Sequence, residues 1–315
     1  MSAQAAANPA HGPVLVIGAT GRQGGATARA LGRRGVKVRA LVRNPEDARS
    51  RALTANGVEL AVGDLDDVSS MVPAMAGVTG VFSVQNWWQT GSSREVQQGK
   101  NVADAARTAR VPHLVYSSVG GADRGAEIAH WKTKWQIELY IRQLGLPATI
   151  LRPVTFMETY YAPAVEKGIL RGRLLDPIRP EKRVQLIASE DIGEWAALAL
   201  TEPGRFVGKA LEIAGDELTN PEIAARFARV LRRPVTFRRL PLFATRLVLG
   251  KEFHQMFRWF NEQGYQADLD RLRLEYPEIR PTSLEAWLIR EGWGSKGRDY
   301  APHARTFIAN IPKAK

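Results

Sequence analysis

The chain has 315 residues, no cysteine, 44% hydrophobic and 24% charged residues, and a formal charge of +12. That length holds one large domain or two, and the missing cysteines exclude disulfides, thiolate metal sites and a cysteine nucleophile, which fits a cytoplasmic protein with no metal centre. No apolar run approaches the roughly 20 residues of a membrane helix, and the basic residues are scattered in short pairs such as Arg33-Arg34 and Arg232-Arg233, so the charge reads as a solvated surface rather than a nucleic-acid face.

Residues 1–12 lack the basic start and long apolar core of a signal peptide and read as a disordered lead-in. Residues 14–17, Val-Leu-Val-Ile, are a short apolar run suited to a buried strand of a parallel sheet. Gly18, Gly21 and Gly24 follow at three-residue spacing, and 26–31 reads as the first turns of a helix. Strand, glycine turn and helix in this order make a dinucleotide-binding crossover. The first glycine permits the tight turn, the second lets backbone approach a pyrophosphate, and the third lets helix pack on strand. The helix N-terminus offers free N–H groups and partial positive charge to phosphates.

Residues 36–42 alternate apolar and basic side chains and form the second strand; Arg43-Asn44-Pro45 ends it, with Pro45 suited to a first helical position. NAD-specific folds place an acidic residue at this strand end for the ribose 2′-hydroxyl. Here Arg43 stands there, with Arg22 inside the glycine loop. A guanidinium matches a dianionic 2′-phosphate and cannot accept a hydrogen bond from a hydroxyl, so NADP(H) is predicted over NAD(H). Residues 58–62 are the third strand. Asp64 and Leu65 beyond it are candidate adenine contacts, while Asp66 or Asp67 suits the cap of a helix running to Met75.

Residues 80–84 are the fourth strand, running into Gln85-Asn86-Trp87-Trp88. Adjacent tryptophans after a strand end either face the cofactor or substrate crevice, which lies outside the carboxyl ends of parallel strands, or pack under the loop. A helix over 95–110 and a fifth strand over 113–118 follow. Ser117 and Ser118 end that strand, and His130 and Lys134 share one face of a helix over 127–144. A serine, a general acid and a lysine at such spacing suit carbonyl reduction. The hydroxyl holds the carbonyl, the acid donates a proton, and the lysine holds the nicotinamide ribose. His130 takes the acid position; the competing reading is a polar histidine on a helix surface. Residues 147–151 are the sixth strand. The predicted domains are thus 13–153 for NADP(H), 154–294 as a substrate cap with segments returning to the sheet, and 295–315 as a basic tail. Within the cap, 156–167 is expected as a short helix over the crevice and 174–186 as a hairpin. Helices are expected from Ser189 to Leu200, 219–231, 253–265, 268–276 and 283–291, with a strand over 210–213.

Gly-Ala-Thr-Gly-Arg-Gln-Gly-Gly at 18–25, Val-Arg-Asn-Pro at 42–45, Gly-Asp-Leu-Asp-Asp at 63–67 and Val-Tyr-Ser-Ser at 115–118 resemble the NmrA-like family of atypical short-chain dehydrogenase/reductases. Gln-Met-Phe-Arg-Trp-Phe at 255–260 and Glu-Ala-Trp-Leu at 285–288 resemble the cap of its NADPH-sensor branch. The resemblance implies an α/β fold, a doubly wound parallel-sheet Rossmann domain with a smaller, mostly helical C-terminal cap, binding NADP(H) and often dimeric. It implies Gly18, Thr20, Gly21, Arg22 and Gln23 at the phosphates, Arg43 at the 2′-phosphate, Asn86 near the ribose or nicotinamide, Lys134 at the nicotinamide ribose and Phe156 at the ring. The superfamily's Tyr-x-x-x-Lys reads His130-Trp-Lys-Thr-Lys134, without the tyrosine.

Two functions follow. One is an NADPH-dependent oxidoreductase on a small apolar or aromatic carbonyl, quinone, imine or activated alkene, with Trp87, Trp88, Phe156, Tyr160 and Tyr161 lining the pocket. The other is a non-catalytic NADPH/NADP redox sensor acting on a protein partner, with the loop over 86–94 as its switch. Direct DNA binding is disfavoured, because no recognition-helix signature or basic stripe is present.

Overall fold

The computed structural model describes residues 12–125 and 127–295. The first half alternates strands and helices: β1 (Val14–Ile17), α1 (Arg22–Arg33), β2 (Val38–Val42), α2 (Ala48–Ala55), β3 (Glu59–Val62), α3 (Val68–Ala74), β4 (Gly80–Ser83), α4 (Trp87–Thr90), α5 (Ser92–Thr108), β5 (Leu114–Ser117), α6 (Ala129–Gln143) and β6 (Ala148–Pro153). There follow β7 (Thr155–Phe156), a 3-10 turn over Met157–Tyr161, α7 (Pro163–Leu170), β8 (Arg173–Asp176), β9 (Arg183–Ile187), α8 (Ser189–Thr201), α9 (Pro203–Phe206), β10 (Ala210–Ile213) and β11 (Asp216–Thr219). The chain continues through α10 (Asn220–Leu231), β12 (Thr236–Arg239), α11 (Leu242–Val248), α12 (Lys251–Glu262), α13 (Leu269–Glu275) and α14 (Leu284–Arg290).

Seven strands form one parallel sheet in the order β10-β6-β5-β4-β1-β2-β3, the doubly wound α/β arrangement. The order turns around between β1 and β4; β2 and β4 flank β1 and pair with it in parallel, Val38 and Gly80 both standing opposite Val14. In such sheets ligands bind outside the carboxyl ends of the strands at that turn-around. The central strands β1, β4 and β5 are buried along their whole length, as the uninterrupted apolar run at 14–17 requires of a strand covered on both faces.

The chain divides into two compact units. The first takes the residues up to Ser118, Thr133–Leu151 and Ile192–Leu211. Its core packs Leu15, Ile17, Val81, Leu114, Tyr116 and Ile150 of the sheet against Met71, Val102, Ala106 and Ile137 of the helices. On the sheet's other side α8 lies close on α1: a Cβ on Gly193 would stand 2.4 Å from the Ala26 carbonyl carbon, so only glycine allows the approach. The second unit takes Val119–Lys132, Arg152–Asp191 and the chain from Glu212. It contains the small sheets β11-β9-β7 and β12-β8 and a core of Met157, Tyr160, Tyr161, Phe227, Trp287 and Trp293. A second cluster there sets Trp131 against Trp259, ring centroids 4.4 Å apart and edge-on.

Several local expectations are corrected. α1 begins at Arg22, so Gly24 and Gly25 lie inside its first turn. Pro45 is not a first helical residue: Asn44 Oδ1 accepts from Glu46 N, an Asx turn that delays α2 until Asp47 caps it. Residues 174–186 do not form a hairpin. β8 pairs in parallel with β12 and β9 antiparallel with β11, and Pro177 and Pro180 fall in the segment between them, where they remove ladder donors. The helix expected over 156–167 opens instead as β7 and the 3-10 turn, with Pro163 starting α7. Thr219 does cap α10, through a capping box with Glu222. The expectations for residues 1–11 and 296–315 lie outside the described residues. Among the described residues no helix is long and apolar enough to cross a membrane.

Candidate active site

The glycine loop of the first unit is built by backbone need. Gly18 sits at φ +74°, where an L side chain is strained. A Cβ on Gly24 would lie 2.2 Å from Gly18 O and 2.3 Å from Gly18 C. The turn therefore closes on itself at a distance that no other residue permits. Its N-cap is Gly21, no side chain caps α1, and the first turn holds no acidic residue. Uncapped N–H groups at the head of a 12-residue helix, with Arg22 in its first turn, offer donors and positive charge to an anion. The residues present fit a pyrophosphate.

The carboxyl ends of three strands are tied together around this loop. A Cβ on Gly18 would stand 3.2 Å from Val84 Cγ1, beyond β4. Ser117 Oγ, at the end of β5, donates to Gln23 Oε1 at 2.6 Å. Ser118 Oγ donates to Glu138 Oε1 at 2.5 Å. Both serines are thus directed at side chains of the first unit, and both are buried. Lys134 Nζ donates to Gln85 O at 2.7 Å and stands 2.9 Å from Glu95 Oε1. Thr133 Oγ1 donates to the other oxygen, Glu95 Oε2. Burial, then the charges of Glu95 and Glu138, push the Tyr116 phenol well above its usual range.

Arg43 is exposed directly after β2, and Thr20 is exposed within the loop. Asp64 folds into its own turn, accepting from Asp66 N and fixed by Ser70 Oγ. Leu65 packs on the core of the first unit, and its carbonyl accepts from Asn101. Asp67 caps α3. Asp66 is gripped by Arg94, which holds its carboxyl below the usual range, with a further hydrogen bond from Gln98. Asn86 uses its side-chain oxygen to cap α4 through Trp88 N. Trp87 and Trp88 meet edge-on with centroids 4.7 Å apart, each half-buried.

Four predicted residues belong to the second unit. Phe156 is half-buried in β7. Tyr160 and Tyr161, expected to line a pocket, are drawn into the hydrophobic core, 8% and 3% exposed. Tyr160 packs on Phe227 and Tyr161 stacks on Trp293, with the Tyr161 hydroxyl donating to Glu291. The reason is volume: this core is filled by aromatic rings, and their apolar area is best placed there. His130 is held by Glu252, which takes its Nδ1 at 2.5 Å and its backbone N–H at 3.2 Å. Burial raises the Glu252 carboxyl, but the hydrogen bond and charge of His130 outweigh that and leave it below its usual range. An imidazole anchored in this way has a structural partner that the spacing His130–Lys134 does not reveal.

Glu95, Glu138, Arg94 and Glu252 were not singled out from the sequence. For Glu95 the signal exists: the buried face of α5 runs Glu95, Gln98, Gly99, Val102, Ala105 and Ala106, so a carboxylate starts an otherwise buried helical stripe. Acids on such stripes need a cationic partner.

The profile of the NmrA-like family matches residues 11–288. An NAD(P)H azoreductase from Xenophilus azovorans is 32% identical over 229 residues, covering 71% of this chain and 76% of the relative. A (4-alkanoyl-5-oxo-2,5-dihydrofuran-3-yl)methyl phosphate reductase from Streptomyces griseus is 33% identical over 245 residues, covering 76% and 81%. Among solved structures, an NADPH-dependent quinone oxidoreductase from Escherichia coli complexed with NADPH is similar with a TM-score of 0.76, at 23% identity over 88% of this chain and 99% of that one. Profile, relatives and glycine loop agree: the chain belongs to the NmrA-like family.

Proposed function

We propose that the chain is an NADPH-dependent oxidoreductase acting on a small apolar or aromatic acceptor: a quinone, imine, carbonyl or activated alkene. The observation that carries this is the glycine loop, closed to any Cβ at Gly24 and opening on the uncapped head of α1. Relatives named as NAD(P)H azoreductase and as (4-alkanoyl-5-oxo-2,5-dihydrofuran-3-yl)methyl phosphate reductase support the redox direction. The bound coenzyme supplies a hydride. The first turn of α1 and Arg22 neutralise the pyrophosphate. Arg43 takes the 2′-phosphate, and Lys134 takes the nicotinamide ribose. Trp87 and Trp88 offer the acceptor an apolar wall. The position four residues before Lys134 is His130, tied to Glu252, so no tyrosine hydroxyl donates a proton there. Acceptors that take a hydride with little demand for a protein acid fit this arrangement best.

The test is NADPH depletion with a panel of quinones, azo and triphenylmethane dyes, imines, ketones and enones. Turnover of at least one acceptor, lost in Lys134→Met, is the expected result. Tight NADPH binding with no turnover on any of them overturns the enzyme reading in favour of a redox sensor.

A further inference from the structure

We propose that Glu95 is a positioning residue, which aims the Lys134 ammonium at the coenzyme's nicotinamide ribose; this rests on the coenzyme reading above. Three observations within the first unit carry it. First, Glu95 is wholly buried, 0% exposed, at the head of α5, where an unpaired carboxylate would be costly. Its two oxygens are divided between neighbours in α6: Oε1 faces Lys134 Nζ, and Oε2 accepts from Thr133 Oγ1. Adjacent residues of one helix therefore fix the carboxylate from two sides, and its orientation is set.

Second, α5 and α6 are forced close together. A Cβ on Gly99, one turn beyond Glu95, would lie 2.5 Å from Ile137 Cδ1, less than one turn beyond Lys134. A side chain at 99 would have to displace Ile137, on the α6 turn that follows Lys134.

Third, the ammonium has three donors. One goes to Gln85 O at 2.7 Å, and the Glu95 carboxylate is 2.9 Å away. The side chain keeps 12% exposure. Gln85 follows Val84, which abuts Gly18 of the glycine loop. The contacts with Gln85 O and the Glu95 carboxylate thus hold Nζ beside the strand ends where the coenzyme would lie, and leave its third N–H for a hydroxyl acceptor. A surface lysine would sample many rotamers and lose that side-chain entropy when a ribose ordered it. Glu95 removes that freedom before the ligand arrives.

The experiment compares two probes on the full chain. NADPH carries the nicotinamide ribose; 2′,5′-ADP carries only the adenosine half. Glu95→Gln keeps the shape and one acceptor oxygen but removes the charge. The expected result is an approximately 10-fold loss of NADPH affinity with 2′,5′-ADP affinity unchanged. In a Lys134→Met background, Glu95→Gln should then leave the ratio of the two affinities where Lys134→Met alone puts it. If Glu95→Gln does not fold, the same ratio is read for Thr133→Val, which removes only the hydroxyl on Oε2 and should lower it by about threefold. A parallel loss for both probes, or an unchanged ratio, overturns the assignment of Glu95 while leaving the coenzyme reading intact. Failure of the unaltered chain to bind either probe overturns both.

Discussion

Gly24→Ala isolates the backbone requirement of the glycine loop. The new methyl would meet Gly18 O at 2.2 Å, Gly18 C at 2.3 Å and Ala19 N at 2.7 Å. All three are backbone atoms, so no rotamer change relieves the clash and the turn itself must open. Overpacking costs about 1–3 kcal/mol where side chains share the strain; against backbone on two residues the upper figure applies, about 3 kcal/mol. The displaced atoms stand at the head of α1, where the coenzyme phosphates are proposed to bind, so the loss is expected in ligand affinity as well as stability. At about 1.4 kcal/mol per decade it corresponds to roughly 100-fold weaker NADPH binding. Gly32→Ala, in the same helix, is the control. Gly32 is exposed in the last turn of α1, and nothing lies within 4 Å of its added Cβ. Alanine there stabilises a helix by about 0.5–1 kcal/mol and should raise the melting temperature by up to about 3 °C, with unchanged affinity. Fluorescence titration with NADPH and thermal unfolding of both variants decide the matter. Gly24→Ala binding within threefold of the parent chain, at an unchanged melting temperature, would refute the steric argument.

Arg43→Ala should weaken NADPH binding by about 10- to 100-fold and leave NADH binding unchanged, since only the former carries the 2′-phosphate. Titration with both nucleotides reads this, and a variant that still prefers NADPH shows that another group reads the phosphate. His113 supplies a pH dependence. It is 1% exposed, shares a hydrogen bond with Thr149 Oγ1 at 2.8 Å, and burial pulls its imidazole from 6.5 down to about 4. Between those values the unfolded chain binds the extra proton, so stability is full above pH 6.5 and falls as pH drops toward 4, by on the order of 3 kcal/mol. Denaturant melts across that range should show a shallower slope in His113→Gln; an identical slope shows that His113 does not carry the effect.

Much of this protein is legible along the chain because it is local. The strand at Val14–Ile17 is announced by four apolar residues, and the loop after it by three glycines whose spacing suits one tight turn. The Asp67 and Thr219 caps follow from the side chain's own reach to the next N–H groups. Where expectation and structure part, a longer-range partner has intervened. Residues 174–186 look like a hairpin until β8 finds β12 and β9 finds β11. Tyr160 and Tyr161 look like pocket residues until Phe227, Trp287 and Trp293 gather from the far end of the chain.

Local chemistry is enough to start a strand at Val14, to turn the chain through Gly18, Gly21 and Gly24 into a helix head, and to set an arginine where NAD-specific folds carry an acid. Each of these rests on neighbours within a few residues, where backbone geometry leaves little choice. Tertiary structure alone decided what Lys134 and His130 face. Glu95 reaches Lys134 from another helix, and Glu252 lies 122 residues beyond His130. Periodicity shows that a side chain turns inward, but packing alone selects the group it meets there.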